Sequence, residues 1–113
     1  MDIRDMKFSK VYPMLIQKAE RKGRTREEVY QVTTWLTGYS TQQLDDMLQS
    51  ETTYGDFIDG FPALNAAANL ITGTICGIRV ENITDPFMLR VRYLDKLVDE
   101  LAKGKAMEKI MRK

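Results

Sequence analysis

The amino-acid sequence predicts an all-α fold: a compact bundle of five or six helices forming a single domain over residues 1–113. Three observations predict it. Apolar residues recur at intervals of three and four through most of the chain. Residues that cap helices (Thr25, Ser40, Asp85) stand just ahead of these runs, and glycines (Gly23, Gly38, Gly104) stand just after them. A chain of 113 residues suits one domain. A domain of that size buries roughly 65% of its unfolded surface, enough for a core of its own.

The first helix lies in FSKVYPMLIQKAERKG, residues 8–23, where Val11, Leu15 and Ala19 share a face. Proline fits only the first turn of a helix, so Pro13 predicts a start between Ser9 and Tyr12. Gly23, after Arg21 and Lys22, marks the stop. Thr25 and Glu28 then have the spacing of a capping box, opening a helix with Val29, Val32 and Leu36 as its stripe, Trp35 beside it and Gly38 at its end. Ser40 and Gln43 repeat that spacing ahead of Leu44, Met47 and Leu48. A short fourth turn over TTYGDFIDGFP buries Phe57 and Ile58, with Phe61 at its margin.

Segment NAAANLITGTICGIRVENITD supports two readings. Its β-branched residues (Thr72, Thr74, Ile75, Ile78, Val80, Ile83) favour a strand. Its length and lack of strict alternation favour a helix, with Ile71, Ile75 and Ile78 on one face. The favoured reading is a helix from about 66 to 79; the alternative is an α+β fold with a short strand or hairpin around 74–80. Asp85-Pro86 then starts the most regular helix, with Asp85 as N-cap and Pro86 as first residue. Its apolar face is Phe87, Val91, Leu94, Leu97, Val98 and Leu101, with Arg90 where a wider stripe would be apolar. Asp99 and Lys103 form an i,i+4 pair ahead of Gly104. The tail KAMEKIMRK adds a short turn with Met107, Ile110 and Met111 facing inward. The helix over 86–103 is expected at the centre, against the 66–80 segment and the first two helices.

Composition narrows the chemistry. Histidine is absent, which removes the commonest general base, the commonest transition-metal ligand and every Ser-His or Cys-His pair. With one cysteine a zinc site has too few ligands, and magnesium or calcium held by carboxylates alone stays open in principle; neither a metal nor a cofactor is expected. One cysteine, no apolar leader and no run of about 20 apolar residues point to a cytoplasmic protein that does not enter the membrane. In that compartment the Asn82-Ile83-Thr84 sequon carries no glycan.

Net charge is +1, unevenly spread: +5 over residues 1–26, −7 over 27–62, −1 over 63–102 and +4 over 103–113. Basic ends packed beside an acidic segment, or solvated faces, explain this; a patch for phosphate or nucleic acid is the competing reading. So small a net charge attracts a polyanion weakly. Lys18, Arg21, Lys22, Arg24 and Arg26 form the candidate basic patch. A helix-turn-helix over 9–37 would present Glu27 and Glu28 to phosphate at its second helix, so nucleic acid is not the expected partner.

Three further features bear on function. Cys76, in GTICGIRVE, has Arg79 three residues on but no histidine as a base, and reads as a small buried hydrophobe. Gly73 and Gly77 lack the GKS/T ending of a phosphate loop and read as contact points for a neighbouring helix. Arg79, Glu81, Arg90, Arg92, Tyr93 and Asp95 bracket the Asp85-Pro86 turn. They read as an ion-pair network or, functionally, Arg79, Glu81, Arg90, Tyr93 and Asp95 as a small-ligand or phosphate site, enzymatic or not.

The stretches VYPMLIQKAERKGRT, WLTGY, LITGTICGIRVENITDP and RYLDKLVDELAKGKAMEKI resemble a bacterial family, domain-of-unknown-function family 2200, over about residues 6–112. The resemblance implies a bacterial, cytoplasmic, single-domain protein and carries over no activity, substrate or catalytic residue. The leading functional expectation is a non-enzymatic helical interaction module that meets a protein partner or a second copy of itself, since the chain shows no catalytic constellation and has seven methionines, which adapt to partner surfaces. The small-ligand site is the alternative, and weak nucleic-acid binding through the basic ends the third.

Overall fold

The computed structural model describes residues 2–112; Met1 and Lys113, the ends of the expected 1–113 domain, lie outside the described residues. Among the described residues six α-helices account for most of the chain: α1 (Phe8–Glu20), α2 (Arg26–Thr37), α3 (Thr41–Leu48), α4 (Tyr54–Asp59), α5 (Pro86–Ala102) and α6 (Met107–Ile110). Short 3-10 turns occupy Ile3–Asp5, Ala66–Leu70 and Val80–Asn82. The antiparallel pair β1 (Thr74–Ile75) and β2 (Ile78–Arg79) is the only sheet among the described residues, with Thr74 opposite Arg79 and Ile75 opposite Ile78.

Helix α5 is the axis. It contacts α1, α2, α4, α6 and β1, and Phe87, Val91, Leu94, Leu97, Val98 and Leu101 are all buried as the 3.6-residue period requires. Each fully buried leucine is worth about 1.5–3 kcal/mol relative to exposure. Helices α1 and α5 run side by side in the same direction. Arg4 lies 3.6 Å over the Phe87 ring at one end, and at the other Lys18 pairs with Asp99 at 3.4 Å. A second part of the core is aromatic. Phe8 stacks on Tyr12 at 4.8 Å between ring centroids and packs on Phe57 at 4.5 Å, with Tyr54 close by.

Local capping chemistry fixes the middle helices as expected. Thr25 Oγ1 accepts from the Glu28 amide at 3.2 Å while Glu28 Oε1 accepts from the Thr25 amide at 2.9 Å. Ser40 and Gln43 reproduce that exchange at the start of α3, and Asp85 Oδ1 accepts from the Phe87 amide at α5. Helix α2 ends at Gly38, whose φ of +82° and whose approach to Ala63 (a Cβ there would lie 2.8 Å from the Ala63 nitrogen) both require glycine. Four of the ion pairs join the basic N-terminal stretch to the acidic one: Arg4–Asp59, Lys7–Glu51, Arg24–Glu28 and Arg26–Asp45. Uneven charge along the chain thus becomes local neutralisation in the fold.

Two expectations are corrected. Helix α1 begins at Phe8, not between Ser9 and Tyr12, which leaves Pro13 as its sixth residue. Tertiary bonds set that start: the Phe8 amide donates to Thr52 O at 2.9 Å, and the Phe8 ring is wholly buried. The favoured helix over 66–79 is replaced by its alternative. Asn65 Oδ1 accepts from the Ala67 amide and holds one 3-10 turn, after which the chain is extended and turns back as the β1–β2 hairpin. Gly73 and Gly77 have φ of +103° and +77°, which a right-handed helix does not allow. The i,i+4 spacing of Ile71 and Ile75 suggested a helix, but four residues are also two full periods of a strand.

Candidate functional site

The residues that bracket the Asp85-Pro86 turn are divided among four places. Arg90, on the side of α5 facing α4, donates from Nη1 to Ile58 O at 3.1 Å and lies 5.1 Å over the Phe61 ring. It ties α5 to the end of α4. Asp95 lies on another side of α5, where Arg92 Nη1 donates to its Oδ2 at 3.1 Å; burial raises its carboxyl pKa, although Arg92 and Lys18 oppose the shift. Arg79 is exposed on β2 and makes no ion pair among the described residues.

Of the five residues expected at a ligand site, only Glu81 and Tyr93 come to one hollow. They line a hollow of about 210 Å³ with Asn69, Ile71, Val80, Ile83 and Leu89. Position 81 is fixed by the 3-10 turn over Val80–Asn82, and Glu81 Oε1 accepts from the Gly73 amide at 3.2 Å. Tyr93 and Leu89 come from successive turns of α5. The Tyr93 ring is buried, which raises its phenol pKa, and no hydrogen bond to its hydroxyl exists among the described residues. The walls are aliphatic, and the polar groups are one carboxylate, one amide and one phenol.

The basic patch is largely spent on the fold. Lys18 pairs with Asp99. Arg24 donates to Glu28 and, from Nη1, to Lys105 O at 2.8 Å, which satisfies a backbone oxygen in the turn that follows α5. Arg26 donates from Nη2 to Tyr30 Oη at 2.7 Å and lies 3.7 Å from Asp45. Arg21 and Lys22 are exposed where α1 ends and form no ion pair among the described residues.

A second concavity was not foreseen. Helices α2 and α3 enclose an open groove of about 470 Å³, lined by Arg26, Tyr30, Gln31, Thr34, Thr41 and Asp45, with Glu27 at its edge. Tyr30 donates to Asp45 Oδ1 at 2.6 Å, and burial together with that carboxylate raises its phenol pKa. The i,i+4 spacing of Arg26 and Tyr30 was visible in the sequence; the arrival of Asp45 from α3 depends on packing. Cys76, read as buried, is exposed at the hairpin tip. No group of three or more Cys, Asp or Glu side chains among the described residues is placed to hold a metal ion.

The family model described as "Uncharacterized protein conserved in bacteria (DUF2200)" matches residues 2–112. The crystal structure of uncharacterized protein SP1917 superposes with a TM-score of 0.93 and 48% sequence identity, over 98% of this chain and 93% of that one. No curated protein matches.

Proposed function

The chain belongs to this family of uncharacterized proteins conserved in bacteria, and from that premise we propose that it is a non-enzymatic interaction module that docks a protein partner through residues 60–85, the excursion between α4 and α5. One observation carries this reading. Of the four large apolar side chains left exposed among the described residues, Leu64, Leu70 and Ile78 lie on the excursion, the last two 48% and 44% exposed. Exposed apolar side chains concentrated on one segment suit a docking surface, whereas single exposed residues are ordinary. The absence of histidine and a solitary cysteine fit a module that works by contact in a reducing, cytoplasmic setting. No helix among the described residues is long and apolar enough to cross a membrane.

The test compares the wild-type chain with a Leu70→Ser/Ile78→Ser variant of unchanged circular dichroism. Sedimentation at micromolar concentration reads self-association, and affinity capture from lysate reads other partners. Dimerisation or a captured protein that the variant loses supports the reading. A monomeric wild type whose captured proteins match those of the variant overturns it.

A second reading, a small-ligand site at Glu81 and Tyr93, is favoured by the hollow they share. Arg79, Arg90 and Asp95 do not line it, and its one charged group is a carboxylate, which counts against phosphate.

A further inference from the structure

We propose that the Glu81–Tyr93 hollow takes an aliphatic ammonium group, carried by a small amine or by the end of a lysine side chain. The proposal rests on the second reading above and names the chemistry of its ligand. Three features of the hollow point the same way. Its walls, Ile71, Val80, Ile83 and Leu89, are aliphatic, so they favour a hydrocarbon stem. Its volume of about 210 Å³ exceeds the roughly 150 Å³ of a cavity that accommodates benzene, which leaves room for a chain of about five or six heavy atoms.

The third feature is charge. Among the described residues no lysine or arginine lines the hollow, and Glu81 is its one acidic side chain. Glu81 Oε1 is occupied by the Gly73 amide, and Oε2 has no hydrogen-bond partner among the described residues. A bound anion would meet the repulsion of that carboxylate, softened by water because Glu81 is exposed. A purely apolar ligand would cover part of the carboxylate and return no hydrogen bond to it. An ammonium gives it a charge-assisted bond, while Asn69 and the Tyr93 hydroxyl offer acceptor oxygens for the remaining N–H groups.

The experiment is a titration of the full ¹⁵N-labelled chain, followed by NMR. The probes are pentylammonium chloride, sodium pentanoate, 1-pentanol and a blocked Gly-Lys-Gly peptide. Saturable shifts centred on residues 69–71, 80–83 and 89–93 are expected with pentylammonium, with a dissociation constant on the order of millimolar. Glu81→Gln, which keeps an acceptor for the Gly73 amide, should weaken it about two- to fivefold, as for an exposed ion pair, with the rest of the spectrum unchanged. Tighter binding of the peptide than of pentylammonium supports the proposal with a lysine as the source; the reverse supports it with a free amine. Pentanoate or pentanol binding as tightly as the amine overturns the ammonium assignment while leaving a ligand site in place. No saturable shift with any probe overturns both.

Discussion

Arg112 clasps Glu100 with both arms of its guanidinium, Nη1 2.8 Å from Oε1 and Nη2 2.6 Å from Oε2, where the two side chains are only 14% and 7% exposed. The same guanidinium donates to Leu70 O at 3.2 Å and Ile110 O at 2.8 Å. One side chain therefore ties the C-terminal segment to α5 and to the excursion. Ile110 is fully buried beneath this clasp. Removing one partner of a buried ion pair leaves a desolvated charge, at a cost of about 3–5 kcal/mol. Lys105 Nζ, 3.3 Å from Glu100 Oε2, still offers partial compensation if Arg112 is lost. Arg112→Ala should therefore cost about 3 kcal/mol, at the lower end of that range, read as a fall in the urea midpoint.

Pro13 sits inside α1, where its ring faces the carbonyl of Ser9 and no amide completes the bond to it. Proline in a helix interior costs about 3 kcal/mol. The helix keeps its start because Phe8 is held by Thr52 and by the aromatic core. Pro13→Ala should stabilise the protein by about 1–3 kcal/mol, seen as a higher melting temperature. A lower one would show that the ring contributes packing worth more than the missing bond.

How much of this could be read from sequence depended on the range of the interaction. The starts of α2, α3 and α5 were legible because Thr25–Glu28, Ser40–Gln43 and Asp85–Phe87 bond within three residues. The start of α1 was not, because Thr52 and Phe57 reach it from some 45 residues away. The hairpin was obscured because Cys76 stands where asparagine would have announced a two-residue turn. Glu81 and Tyr93 were singled out because both lie close to the Asp85-Pro86 turn. Their partners Asn69 and Ile71 enter the hollow only because the chain doubles back, and the groove between α2 and α3 exists only once those helices pack.

Cys76 is the one non-glycine residue with positive φ among the described residues, at +54°, followed by Gly77 at +77°. Two left-handed residues in succession make the I′ type of hairpin turn, which prefers Asn-Gly. For most side chains the left-handed region costs about 1–2 kcal/mol; asparagine tolerates it better. Cys76→Asn should raise stability by about 0.5–1 kcal/mol and leave the fold unchanged. A neutral or negative effect in urea titration would mean the thiol makes a compensating contact.

Tyr54 is completely buried, and its hydroxyl has no hydrogen-bond partner among the described residues. Burial holds its phenol pKa well above the usual value, and the nearby Asp95 adds to the shift. An unsatisfied buried hydroxyl costs about 1–3 kcal/mol, and phenylalanine fills the same ring volume. Tyr54→Phe should therefore be neutral to stabilising, by up to about 1 kcal/mol. A loss above about 1 kcal/mol would reveal a bound water bridging Tyr54 to Asp95.

The capping box of α2 should give stability a dependence on pH. The Arg24 guanidinium, first, and then the Thr25 amide hold the Glu28 carboxyl below its ordinary pKa. A carboxyl depressed in the folded state binds its proton more readily when unfolded. Its contribution is therefore complete above the unfolded pKa, near 4.5, and disappears as pH falls through the folded value. Glu28→Gln can still accept from Thr25 but gives Arg24 no charge. It should cost about 0.5–1 kcal/mol at pH 7. The gap between variant and wild type in urea titrations should close as pH falls below 4.5. A gap that persists unchanged in acid would assign the loss to shape, not to the carboxylate.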